Sequence, residues 1–479
     1  MYFELARRAK AAGEVDLELR LRGAEQLLRG GHEEGRRALV EVLDQLDLGP
    51  PATRAGALAR LLWRRAWIRL RGLGPVLRGE EIANGETSPR ARLRLEACLV
   101  AWTTIALMTT SLSLEYGTRY EALALKTADP RHISQALIIE ITIAVMMGGV
   151  RARRTTRLME VLTAIAERSE DPYVLGQQES TRAMIEASLG RWAHGREHAG
   201  RAMQILRERC LGMSCETAIT ATFYFVCVTH MGALGDLVRE VLLLLREAEE
   251  HRDRFTLAAL HSGFTCLVSL IQDRPAAAWQ QIERGATLWT EGAEDLRLLS
   301  AQLSHTEICL YEGDGAAAYR RIDQDWHRWL ASPFVRQGYV RARVLYLHAV
   351  AALAAYRPSA PDRRLLRAAA RDARSLRAMQ LPWTCALARV LDAGVALTFG
   401  ARARTRAQIE RAGAELDAVG MKLHATLARR RLGELDGGAE GAREVAEADA
   451  WLAGQGVLAP ERLARLYMPE VDPAERAPR

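Results

Sequence analysis

Gly190-Arg191-Trp192-Ala193-His194-Gly195-Arg196-Glu197-His198-Ala199-Gly200-Arg201-Ala202 is the stretch whose reading decides the fold. A turn glycine is followed at offsets of five, nine and twelve by the small residues Gly195, Ala199 and Ala202. Offsets four and three apart fall on one helix face. The signal returns at Gly232, at Asp273-Arg274-Pro275 and at Gly313-Asp314-Gly315, in steps of 42, 41 and 40 residues. Asp273 is followed by Ala278, Ile282 and Gly285, and Gly313 by Ala318 and Ile322, with Asp325 breaking the last position. Upstream, Gly30 is followed by Gly35, Leu39 and Val42. A fixed period in this range means stacked helical hairpins whose second helix lies close on the first.

Outward from that stretch the period persists. Gly149 precedes Gly190 by 41 residues, Arg357-Pro358 follows Gly313 by 44, and Phe399-Gly400 follows Arg357 by 43. Further breaks are expected at Tyr116-Gly117, Ala128-Asp129-Pro130 and Gly148-Gly149, with a last glycine-rich turn from Gly433 to Gly441. The pattern resembles the tetratricopeptide repeat, whose period is about 34 residues; longer steps imply longer helices. Strand-like alternation is nearly absent. The expected fold is all-α: a tetratricopeptide-like right-handed α-solenoid of antiparallel helix pairs, period about 41 residues. The expected division is N-terminal helical hairpins over 1–75, an irregular linker loop over 76–89, a superhelix over 90–470 and a frayed tail over 471–479.

The 479 residues are 49% apolar and 26% charged, enough for a large core. Lys10, Lys126 and Lys422 are the only lysines. Residues 335–431 hold 19 Lys/Arg and 6 Asp/Glu, a balance of +13 against +7 for the whole chain. Seven cysteines without a Cys-x-x-Cys pair fit free thiols in a reducing cytoplasm. The N-terminus has no apolar signal core. The charge-free windows 97–114 and 217–235 are rich in Thr and Ser, and read as central solenoid helices rather than membrane spans.

His194-Gly195-Arg196-Glu197-His198 spells an inverted zincin motif, so His194 and His198 could share a Zn²⁺ with Glu197 as base. No third ligand can be named, and Gly195 sits at a packing position; a solvated polar face is the preferred reading. Leu123-Ala124-Leu125-Lys126, His251-Arg252-Asp253 and Ala459-Pro460-Glu461 imitate pieces of a protein kinase. The glycine-rich loop, the Asp-Phe-Gly and the Asn five residues after the catalytic Asp are missing: position 258 is Ala258. No phosphate-loop motif is present. No catalytic residues and no cofactor are expected.

Candidate partner-binding residues are Trp279, Tyr319, Trp326 and Trp329, clustered with Trp289, together with Arg363, Arg367 and Arg371. Hairpin packing is the preferred reading for Trp279 and Tyr319, 40 residues apart, and a solvated helix face for the arginines. Nucleic-acid binding through 335–431 is kept as an alternative and disfavoured.

The runs Arg22-Gly23-Ala24-Glu25-Gln26-Leu27-Leu28-Arg29-Gly30-Gly31-His32-Glu33-Glu34-Gly35, Leu70-Arg71-Gly72-Leu73-Gly74, Leu206-Arg207-Glu208-Arg209-Cys210, Leu310-Tyr311-Glu312-Gly313-Asp314-Gly315 and Gly454-Gln455-Gly456-Val457 resemble the helical tail of large bacterial serine/threonine kinases. In that family a kinase is followed by an AAA- or STAND-type ATPase and then by these repeats. The tail is similar to the tetratricopeptide-like superhelix of the maltose-regulon activator class. The resemblance runs from about residue 15 onward. The family's kinase and ATP-binding residues have no counterparts here. The resemblance therefore implies a cytoplasmic, non-catalytic scaffold or sensor, alone or as the tail of a longer protein, that binds a protein or peptide partner. The alternative it leaves open is a small-molecule-sensing module.

Overall fold

The computed structural model describes residues 14–29, 32–49, 54–68, 70, 88–105, 110–127, 129–261, 263–288, 294–332, 335 and 338–468. The Gly30-Gly31 turn, the loop through residue 87, Trp289 and the tail after residue 468 lie outside them. Among the described residues there are helices and no strands; the chain is an all-α helical-repeat solenoid.

The first helices are α1 (Glu14–Arg29), α2 (Glu33–Gln45), α3 (Arg54–Trp67), α4 (Pro89–Ile105), α5 (Thr110–Ala124), α6 (Pro130–Met146) and α7 (Arg153–Arg168). Regular hairpins follow. They are α8 (Pro172–Leu189) with α9 (Trp192–Arg209), α10 (Ser214–Met231) with α11 (Leu234–Glu250), and α12 (Arg254–His261) plus α13 (Phe264–Ile271) with α14 (Pro275–Leu288). Next come α15 (Glu294–Glu312) with α16 (Gly315–Asp323) and the short α17 (Trp326–Ala331), then α18 (Gly338–Ala355) with α19 (Arg363–Ala378). The last are α20 (Pro382–Thr398) with α21 (Arg402–Ala418), α22 (Lys422–Asp436) with α23 (Gly438–Gly454), and a lone α24 (Pro460–Tyr467).

The repeat offsets are the packing seam. Ala199, Ala202, Ala278 and Ala318 are fully buried. A Cβ on Gly195 would lie 2.7 Å from Cys227 Sγ and 3.3 Å from the Ala187 amide, so α9 can approach α8 and α10 this closely only with glycine there. The break expected at Tyr116-Gly117 does not occur; both lie inside α5. Gly117 is a close-approach glycine instead, since a Cβ there would meet Trp102 of α4 at 2.5 Å. At Asp325, where the small-residue pattern lapses, the outer helix is interrupted between α16 and α17.

The buried apolar residues form two clusters, one from Leu21 to Ile185 and one from Ala187 to Met468. The core boundary therefore falls inside α8. The N-terminal hairpins share a core with residues beyond the 76–89 segment. Buried ion pairs tie α3 into it: Arg64 to Glu115 at 2.5 Å, and Arg65 to Glu140, which Arg154 also reaches at 3.1 Å. Leaving any of these carboxylates without its arginine strands a buried charge.

The second cluster closes on itself. Helix α8 touches α18, and α10 touches α22, across the axis of the superhelix. Helix α24 docks on α15 and α18. Arg462 pairs with Asp273 at 2.7 Å and lies over the Tyr311 ring, and the Leu458 amide donates to the Ile271 carbonyl at 3.0 Å. No single helix among the described residues is long and apolar enough to cross a membrane; α12 and α13 pass by length and composition only as a pair bent by 52°.

Gly190 ends α8 at φ +80°, and a Cβ there would lie 2.3 Å from Trp383 Cδ1. Gly190→Ala meets both the left-handed penalty and this contact, and should lower stability by about 2–4 kcal/mol. Gly200 lies mid-helix with nothing within 4 Å of the added Cβ, so Gly200→Ala should raise stability by about 0.5–1 kcal/mol. Urea midpoints of the two variants against the parent check both signs.

Candidate ligand funnel at the hairpin rim

Closing the superhelix brings residues from opposite hairpins together at its axis. Trp192 opens α9, His230 ends α10, Trp383 opens α20 and His424 opens α22. The His230 ring sits 4.4 Å from the Trp192 ring and 5.3 Å from His424, and Trp192 and Trp383 meet edge to face at 5.5 Å. Tyr467 of α24 closes on His424 at 5.1 Å. Both nitrogens of His230, Nδ1 of His424 and the indole nitrogens of Trp192 and Trp383 are buried without a hydrogen-bond partner. Burial therefore keeps both imidazoles neutral, with His230 held well below its ordinary value and His424 pushed down to about 3.

Above this plug the rim opens into a funnel of about 990 Å³, the size of a small-molecule site. Two hairpin turns, at Gly190 and Gly232, and two connections between hairpins, at Gln380 and Gly420, form its wall. Trp451 supplies aromatic surface beside the buried Trp192 and Trp383, and Arg151, Arg191 and Lys422 supply charge; no Asp or Glu lines it. The glycines bring these walls close. A Cβ on Gly232 would lie 2.4 Å from the Trp451 ring. Arg151 is tethered across the rim by a 3.0 Å bond to the Gln380 carbonyl, and Arg191 lies 3.5 Å from Glu186. A second recess beside Thr405 and Arg431 holds about 10 Å³, room for no more than a water.

The wall's backbone is polarised. Glycine turns cap the ends of α8, α10 and α21 with their own amides, as where the Arg191 N–H donates to the Glu186 carbonyl at 2.9 Å. The following helices begin after Arg191, Ala233, Leu381 and Met421, none of which caps with a side chain. Away from the funnel Asp129, Asp171, Asp314 and Asp362 cap their helices, while the helices after Ala152, Met213, Ala401 and Ala459 are as uncapped as those at the funnel. First-turn amide donors therefore remain at the funnel.

Compared with protein-family models and with curated proteins, the chain matches none.

The structure separates the other candidates. His194 lines the funnel and is exposed. His198 Nδ1 faces Glu179 at 2.7 Å, and Glu197 pairs with Arg201 at 2.7 Å. Among the described residues, no group of three His, Cys, Asp or Glu is placed to hold a metal. Trp326 and Trp329 are buried; Trp326 stacks on His348 at 3.8 Å, so neither ring offers a free surface. Trp279 and Tyr319 are half-buried, each 5.2 Å from a histidine of the next repeat, His305 and His348. Arg363 and Arg367 are exposed on α19, and Arg371 lies over Trp326 beside Asp372. Much of the basic 335–431 excess is offset from outside that window, as Arg343 pairs with Glu307, Arg406 with Asp436 and Arg430 with Asp449. Lys126 and Asp253 sit in turns, and Pro460 opens α24.

The funnel residues carry no motif. Of the turns in its wall only Gly190 and Gly232 stood out in the sequence, as repeat turns; the turns at Gln380 and Gly420 were not expected.

The neutral histidines set a pH dependence. Above pH 7 both rings are neutral in the folded and unfolded chain and contribute nothing. As pH falls through about 6.5 the unfolded chain gains protons that the folded one excludes, so stability declines with falling pH. With His424 near 3, its ring should cost about 2 kcal/mol by pH 5; His230, and His261 pushed down to about 4, add to the decline. Unfolding titrations at pH 7.5 and 5 should show this decline, and His424→Phe should reduce it by about 2 kcal/mol.

Proposed function

We propose that this chain is a non-catalytic helical-repeat sensor: a regulatory module that takes a small molecule into the rim funnel and presents the result to a protein partner. One observation carries the reading. The inner helices meet across the axis, α8 on α18 and α10 on α22. The concave wall on which a solenoid lays an extended peptide is thus filled by its own side chains, while a ligand-sized recess remains at the rim. The resemblance to kinase-linked repeat tails supports a place in bacterial signalling beside a serine/threonine kinase or a STAND-type ATPase. The seven free thiols suit a reducing cytoplasm.

A second reading, a scaffold for an acidic protein or peptide, is favoured by the exposed Arg363, Arg364 and Arg367 on the outer face of α19. It needs no funnel and would survive its blockage.

The test is a melting-temperature screen of the full chain against sugars, nucleotides, amino acids and organic acids. A ligand at about 100 times its Kd adds roughly 2.7 kcal/mol to stability, a resolvable upward shift. Ala193 is exposed at the funnel mouth. Ala193→Trp should abolish the shift and leave the unliganded melting point nearly unchanged. A screen in which nothing shifts the parent, or a shift that persists in the Ala193→Trp chain, ends the sensor reading.

A further inference from the structure

We infer that the funnel is built for a small organic anion carrying a flat apolar ring, its acidic group held by Arg151, Arg191 and Lys422 and its ring laid on the half-buried Trp451. This rests on the sensor reading and adds the chemical class of the ligand.

Charge comes first. The recess is lined by three permanent cations and by no carboxylate. Elsewhere this chain neutralises its arginines freely, as in Arg406 with Asp436 and Glu410 or Arg430 with Asp449 and Glu434. At the funnel only Arg191 has an acidic neighbour, Glu186, and at the long distance of 3.5 Å. Lys422 is exposed at the first position of α22. A concave surface lined by one sign of charge concentrates ligands of the other sign.

The floor and the wall point the same way. Trp192 and Trp383 line the funnel and are 1% and 2% exposed, and their indole N–H groups have no acceptor. A buried donor without a partner costs about 1–3 kcal/mol, and these two N–H groups lie beneath the surface that a ligand would meet. The first-turn amides of α9 and α22, and those of α20 after Pro382, have no side-chain cap and add donors. The charged side chains on the lining are all cationic, which favours an anion over a cation. The half-buried Trp451 ring, set against Gly232, offers the apolar face that a simple inorganic ion would leave unused.

The experiment titrates the full chain at low salt with 1-anilinonaphthalene-8-sulfonate and, in parallel, with its uncharged parent N-phenyl-1-naphthylamine, following probe fluorescence. The expected result is one anionic probe per chain, bound at least roughly tenfold tighter than the neutral one. Arg191→Glu and Lys422→Glu should each weaken it roughly tenfold with little change in the neutral probe. Both residues are exposed, so circular dichroism and melting point should stay at parental values and certify the fold. Equal affinity for the two probes, or charge reversals without effect on the anion, overturns the inference. If in that case a neutral compound still shifts the melting point and Ala193→Trp blocks it, the sensor reading stands and only the anionic class falls. If no probe or panel compound binds, both fall.

Discussion

The meeting of α10 with α22 across the superhelix axis is the constraint on which the rest of this structure depends. At that contact His230 and His424 stand 5.3 Å apart between Trp192, Trp383 and Tyr467. A solenoid whose repeats touched only their neighbours would tolerate small changes in pitch. Here pitch is fixed, because a slight rotation per repeat would separate rings that belong to hairpins nearly two hundred residues apart in sequence. The core is aromatic and imidazole rather than purely aliphatic. It gains ring contacts and burial, and it carries donors that nothing in the protein accepts.

Closure also gives the rim its chemistry. Each inner helix must end and the next begin where the hairpins converge, so the turns crowd around the mouth of the axis. Glycine is required at Gly190 and Gly232 for two reasons at once: a positive φ, and an indole from the opposite side within 2.4 Å of where a Cβ would be. The helix ends that precede these turns are satisfied by backbone amides; the helix starts that follow are not. The asymmetry makes the mouth a field of donors, and the side chains there continue it with Arg151, Arg191 and Lys422.

Much of the architecture was readable locally. Gly190, Gly232, Asp273 and Gly313 marked the turns, and the offsets of five, nine and twelve marked the seam, because each records a conflict between neighbouring atoms that only a small side chain resolves. Gly117 shows the limit of that logic. It too answers a close approach, by Trp102, but from inside a helix, and a glycine alone does not say whether the chain turns or is being touched. Trp326 and Trp329 show another limit. Aromatic rings at neighbouring positions fit a partner-binding wall as well as a core, and only the position of His348 and Gln302 decides it.

The sequence by itself determined that this is a helical repeat, where the turns at Gly190, Gly232, Asp273 and Gly313 fall and which helix faces are apolar, because those properties follow from contacts within one hairpin. The curvature belongs to the tertiary structure alone. It is the sum of small rotations at many interfaces, and no single interface writes it in its residues. That sum decided whether the concave face would stay open or fill, placed Trp192 beside Trp383, and turned scattered hairpin-turn residues into one cationic, aromatic recess.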